Sequence, residues 1–112
     1  MISGPSKTSA KRVGPRRVNS VIIGDVRFKA IHWGRERGFG QNGGYIAAVD
    51  VKSNKELWTL KVYDVDYEGG KEEDALDVFI TSMKADDGKL IIRDEEDRRY
   101  SVDVTTRAVK RL

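Results

Sequence analysis

The chain has no cysteine and a single histidine, His32. The first absence removes disulfides, thiolate nucleophiles and cysteine–zinc sites together. The second leaves His32 without a histidine or cysteine partner, so no metal site is expected, and at the end of an apolar strand face it reads as a hydrogen-bonded structural residue. One histidine and scattered carboxylates spell neither a nucleophile–base pair nor a metal constellation. No catalytic residue and no cofactor is therefore expected, and the protein reads as a non-enzyme. Long apolar runs are missing too. None approaches the about 18 residues of a membrane helix, and no apolar segment follows the basic N-terminus. Neither a membrane span nor a secretory signal is expected, and a cytoplasmic location is the default.

What is present fits one globular domain. At 112 residues, 38% hydrophobic and 35% charged, the chain can bury a core but cannot hold separate cofactor and substrate domains. The net charge of +3 is unevenly placed. Residues 1–37 carry Lys7, Lys11, Arg12, Arg16, Arg17, Arg27, Lys29, Arg35 and Arg37 against Asp25 and Glu36, a net +7, which leaves −4 for the remainder. Residues 1–17, broken by Gly4-Pro5 and Gly14-Pro15 and without apolar periodicity, read as a flexible basic tail on a single β domain spanning 18–112. The tail is either an arm that tracks phosphates or a solvated segment that keeps the protein soluble; no aromatic residue is interleaved with its charges for base stacking.

Two hairpins follow from period and turn chemistry. Val21-Ile22-Ile23, a Gly24-Asp25 link and the alternating run Val26 to Trp33 form the first. Tyr45 to Val51, a polar turn at Lys52 to Lys55, and Glu56 to Tyr63 form the second, with Glu56, Trp58, Leu60 and Val62 on its core face. Trp58 reads as core rather than as a ligand platform.

Between the hairpins lies the one stretch that looks built to touch something, Gly34-Arg35-Glu36-Arg37-Gly38-Phe39-Gly40-Gln41-Asn42-Gly43. Gly38 to Gly43 is a literal G-x-G-x-x-G, but a dinucleotide fingerprint follows a strand and opens a helix, whereas this one opens a strand. A kinase glycine loop fails on chain length, and the RNA-recognition signature begun by Arg37-Gly38-Phe39-Gly40 is not continued by apolar residues. The physical content remains. Glycines permit close approach and Arg35, Arg37, Gln41 and Asn42 supply donors, with Trp33, Phe39 and Tyr45 as apolar contacts. These seven residues are the candidate binding surface for a protein or anionic partner; the alternative is a wide loop that merely crosses between hairpins.

Asp64 to Asp74 is acidic and starts like a calcium loop, but its twelfth position is Ala75 where a bidentate glutamate belongs, so a solvated turn is the better reading. Residues 75–84 combine helical spacing at Leu76, Phe79, Ile80 and Met83 with a good strand core, which predicts a short helical turn near 71–77 followed by a strand. Met83-Lys84, a turn at Ala85 to Gly88, Lys89 to Arg93, the charged turn Asp94 to Asp97, Arg98 to Val104 and Arg107 to Val109 complete a meander. In it Arg93, Arg98 and Arg99 read as solubilising neighbours of the acidic turn.

Gly44 to Trp58, with its apolar strand ending in Ala48-Val49-Asp50, its Lys52 to Lys55 turn and its re-entry at Leu57-Trp58, resembles the repeat of PQQ-type β-propellers. Residues 88–109 are similar more loosely, with Val102 to Thr106 matching Val49 to Ser53 at an offset of 53 residues. Asn54 and Arg107 stand where that family favours glycine, and the second copy lacks the tryptophan. The resemblance implies local strand geometry alone, because two units fall short of the four or more blades of a closed propeller. The expected fold is an all-β antiparallel meander of about seven to eight strands, folded into a small sandwich or open barrel, with edges open to pairing between copies. The expected function is a non-catalytic binding module centred on the glycine loop, the alternative being nucleic-acid binding through the basic arm.

Overall fold

The computed structural model describes residues 14–67 and 76–112. The tail up to residue 13, most of the acidic loop and most of the helical turn expected near 71–77 lie outside the described residues. Among the described residues the expected all-β meander is present as eight antiparallel strands in two sheets of four, with no closed barrel. The first sheet runs β1 (Val21–Ile23), β2 (Val26–Ile31), β3 (Tyr45–Asp50) and β4 (Glu56–Lys61). The second runs β5 (Ile80–Asp86), β6 (Lys89–Asp94), β7 (Arg99–Asp103) and β8 (Val109–Arg111). Within each sheet every strand pairs with its neighbour in the chain.

Turn residues explain the hairpins. Gly24, at φ +63°, occupies the first central position of the β1–β2 turn, which a type II′ turn reserves for glycine. Asp87 and Gly88 are both left-handed, at φ 53° and 79°, as the two-residue type I′ turn requires. That turn is tighter than the Ala85 to Gly88 turn read from sequence, because Ala85 and Asp86 stay in the ladder opposite Leu90 and Lys89.

The β3–β4 and β7–β8 turns repeat one another at the offset noted in the sequence. The Asp50 carboxylate accepts from Ser53 N at 2.8 Å, and Asn54 adopts φ 61° while its N–H donates to Asp50 O at 2.8 Å. The Asp103 carboxylate accepts from Thr105 N and Thr106 N at 2.9 and 3.0 Å, and Arg107, at φ 65°, donates to Asp103 O at 2.7 Å. The Ser53 hydroxyl, donating to the Asp50 carboxylate at 2.6 Å, together with these bonds holds both carboxyls below the usual carboxylate range.

One face of each sheet meets the other. Phe28, Ile46, Ala48 and Val62 from the first half pack with Ile80, Met83, Leu90, Ile92 and Val102 from the second, and Tyr63 stacks on Tyr100 at 5.1 Å. Trp58 borders this core, with its ring 5.9 Å from Phe28 and the Arg107 guanidinium 4.7 Å from its ring centroid. Leu60 and Val62 share its face as expected, but Glu56 does not. A bulge sets Trp58 opposite Ala48 and Glu56 opposite Val49, and adjacent β3 residues point to opposite faces, so Glu56 emerges on the outer surface. No helix among the described residues is long and apolar enough to cross a membrane.

Candidate functional site

The glycine loop joins β2 to β3 and opens with a 3-10 turn over Gly34–Arg37. Three of its glycines, Gly34, Gly43 and Gly44, serve packing, while Gly38 and Gly40 face open space. A Cβ on Gly43 would collide with the carbonyl of Val78, and Gly44, at φ +89°, turns the chain into β3 beside the Tyr63 backbone. The loop thus lies against the segment that leads into β5, where any larger residue at position 43 would force it away.

Of the four polar side chains assigned to this loop as donors, Gln41 and Asn42 face inward. Gln41 is 5% exposed. Its Nε2 donates to Gly43 O and Tyr63 O at 2.9 and 2.8 Å, and its Oε1 accepts from Val65 N at 2.9 Å, which makes it a substitute for a missing backbone ladder. Asn42 accepts from Arg35 N through Oδ1 at 3.1 Å and donates through Nδ2 to Asp77 Oδ2 at 3.1 Å. Tyr67 closes the circuit by donating to Asp77 Oδ1, while the Arg35 guanidinium lies 4.8 Å from the Tyr67 ring centroid. Phe39 packs on Tyr45 at 4.4 Å, and Arg37 donates to both Glu56 carboxylate oxygens at 2.9 and 2.8 Å. Of the seven candidates, Trp33, Arg35 and Arg37 are exposed, and Trp33 reaches Phe79 edge-on at 5.7 Å.

His32 ties the incoming N-terminal segment to this region. Its Nε2–H donates to Arg16 O at 3.0 Å and its ring meets Phe79 edge-on at 5.6 Å, the structural part read from sequence. Nδ1 is buried with no partner among the described residues, and burial pushes the imidazole pKa down.

That tie places Arg17 beside the outer face of the first sheet. On this face Arg27 and Lys29 alternate with the core residue Phe28, about 7 Å apart along β2. Arg17, Arg27 and Lys29, with Asn19, Ser20 and Asn54, line a cleft of about 500 Å³. None of the three cations has a carboxylate partner among the described residues. Lys29 also borders a second cleft of about 380 Å³ that includes His32, Trp33, Glu36, Arg37 and Glu56, so the basic cleft runs on to the edge of the glycine loop.

Sequence reasoning missed two buried carboxylates. Asp94, fully buried, accepts from Glu96 N, Arg98 N, Arg98 Nε and Tyr100 OH at 2.8, 3.1, 2.9 and 2.9 Å. Burial of Tyr100, its hydrogen bond to Asp94 and the charge of that carboxylate push the Tyr100 hydroxyl up to about 12, and burial raises Tyr63 further, so both hydroxyls stay protonated donors. Asp77, 4% exposed, anchors Asn42 and Tyr67. A usable signal existed for Asp94: β3, β6 and β7 all end in an aspartate that accepts backbone N–H groups of the following turn. An acidic cleft of about 380 Å³ between Asp64, Asp66, Asp77, Glu95 and Glu96 includes Arg98, and no group of three or more metal-ligating side chains occurs among the described residues. Of the calcium-like stretch only residues 64–67 are described, and Asp64 there pairs with Lys61 at 2.6 Å.

Neither a protein-family model nor a curated protein matches this chain.

Proposed function

We propose that the domain is a non-catalytic nucleic-acid-binding module whose contact surface is the outer face of the first sheet. The observation that carries this reading is the convergence of Arg17, Arg27 and Lys29 on one cleft without carboxylate partners among the described residues. Cations so placed displace the counterions condensed on a phosphate chain, and Asn19, Ser20 and Asn54 add neutral donors. The half-exposed Trp33 at the far end of the adjoining cleft offers a ring on which a base can stack. The inward use of Gln41 and Asn42 favours this surface over a partner held by the glycine loop itself.

The test is a titration of the full chain against single- and double-stranded oligonucleotides over a range of salt. Replacing Arg17, Arg27 and Lys29 by threonine should weaken binding to every sequence and lower the salt slope on duplex DNA by about 0.9 for each phosphate no longer neutralised. Unchanged affinity and slope in the triple variant would refute the assignment.

A further inference from the structure

The outer face of the second sheet is also basic, and the strand register fixes where its charges stand. Ser82, Arg93 and Arg99 share one row across β5, β6 and β7; the next row holds Lys84, Ile91, Ser101 and Lys110. Arg93 and Arg99 are direct cross-strand partners, and like charges so placed repel one another. Arg93 has Asp97 at 4.0 Å, itself 86% exposed, while Lys84, Arg99 and Lys110 have no carboxylate partner among the described residues. The acidic residues of this sheet are pushed to its ends, with Asp86 and Asp103 flanking Lys89 at one and Asp94 to Asp97 at the other. A depression of about 160 Å³ lies among Ser82, Lys84, Ile91, Arg93 and Arg99.

We propose that this face is a second nucleic-acid surface and that the domain bridges two duplexes, one on each sheet; the inference rests on the function proposed above. Neither row on the second face carries an aromatic side chain, so there is nothing to stack an unpaired base, and the contacts available are to the phosphate backbone of an intact duplex. Phosphates between Arg93 and Arg99 would relieve the repulsion that the free protein carries. The two basic faces look away from the core they share, and the molecule is only 28 × 25 Å in its shorter directions. Duplex DNA is stiff over about 150 base pairs, so one duplex does not fold around so small a body to reach both. Two occupied faces therefore mean two duplexes.

The experiment uses the full chain, a short duplex fixed on beads and a second, fluorescent duplex in solution at low salt. The wild-type protein should capture the fluorescent duplex and bind two duplexes per chain. R93T/R99T should fall to one per chain and lose capture, while R93K/R99K retains both, which separates charge from fold. R27T/K29T should likewise bind one duplex and lose capture. Undiminished capture by R93T/R99T overturns the second face and leaves the first untouched. Loss of all binding by R93T/R99T with wild-type behaviour of R27T/K29T overturns both bridging and the first-face assignment. Failure of the wild-type chain to bind any duplex overturns the bridge, and failure to bind single strands as well overturns the first-face assignment. K84S/K110S, at exposed positions in the neighbouring row, repeats the test should R93T/R99T prove unstable, with the same loss of capture expected and undiminished capture counting against the second face.

Discussion

The two sheets are built alike and finished differently. Each is a four-stranded meander, and their last turns use the same aspartate, left-handed residue and hydrogen bonds. They part company between the second and third strands. In the second sheet residues 95–98 make the connection around the buried Asp94; in the first, residues 32–44 make it and must be held down by Gln41, Asn42, Tyr67 and Asp77. The short connection is served largely by one residue, since Glu96 N, Asp97 N and Arg98 N all reach Asp94 and only Glu95 N turns elsewhere, to Phe79 O. A long one needs partners from elsewhere in the chain, which is why the first sheet recruits residues 63–67 and 77.

That contrast can be broken most forcefully at Asp94. Asp94→Ala would leave Tyr100 OH and two backbone N–H groups without their acceptor and strip the Arg98 guanidinium of its buried partner. A loss of about 3–5 kcal/mol is expected, read by denaturant unfolding, whereas Asp103→Ala at the exposed β7–β8 turn should move the denaturation midpoint far less. Gln41→Ala comes next, at about 2 kcal/mol, because Val65 N and the carbonyls of Gly43 and Tyr63 lose a buried partner. If the loop serves packing rather than recognition, that variant binds nucleic acid as wild type does wherever it is folded. Arg99→Glu moves in the opposite direction. Setting a carboxylate opposite Arg93 should stabilise the second sheet by about 0.2–1 kcal/mol, seen as a raised denaturation midpoint, while abolishing nucleic-acid binding on that face.

The smallest effect is set by pH and belongs to the first sheet. Burial depresses the His32 pKa, and protonating Nδ1 would leave an N–H with no acceptor among the described residues; the hydrogen bond to Arg16 O and the nearby Glu95 oppose the shift without reversing it. The unfolded chain therefore binds this proton first. His32's contribution to stability is complete above about pH 6.5 and is lost as pH falls from there through the lower folded value. Thermal midpoints measured between neutral and mildly acidic pH should fall less steeply for His32→Gln than for wild type.

Strand positions and turns were legible because they depend on neighbours in the chain: alternation around Phe28, Asp87-Gly88, and the matching of Asp50 with Asp103. The buried side of Trp58 could be read for the same reason. Glu56 could not, because one extra residue at the bulge reverses the face and nothing in the alternation marks it. Gln41 and Asn42 were read as outward donors since their partners, Tyr63, Val65 and Asp77, lie 22 to 35 residues away in the chain. The basic face was half visible. Arg27 and Lys29 could be set on one side of a strand, but only the fold brings Arg17 to them and shows that no described carboxylate answers.

Pairing only between chain neighbours also bears on how the molecule assembles. Strands pair only with chain neighbours, and apart from the 32–44 connection the links are short, so hairpin formation faces a small entropic barrier and belongs to the microsecond range. The long-range event is the docking of the two meanders, when Tyr63 meets Tyr100 and the core seals. Because both meanders bury their inner faces in that one core, parting the seam is global unfolding, and amide exchange is expected to report one cooperative unit spanning both sheets, with loops and strand edges opening first.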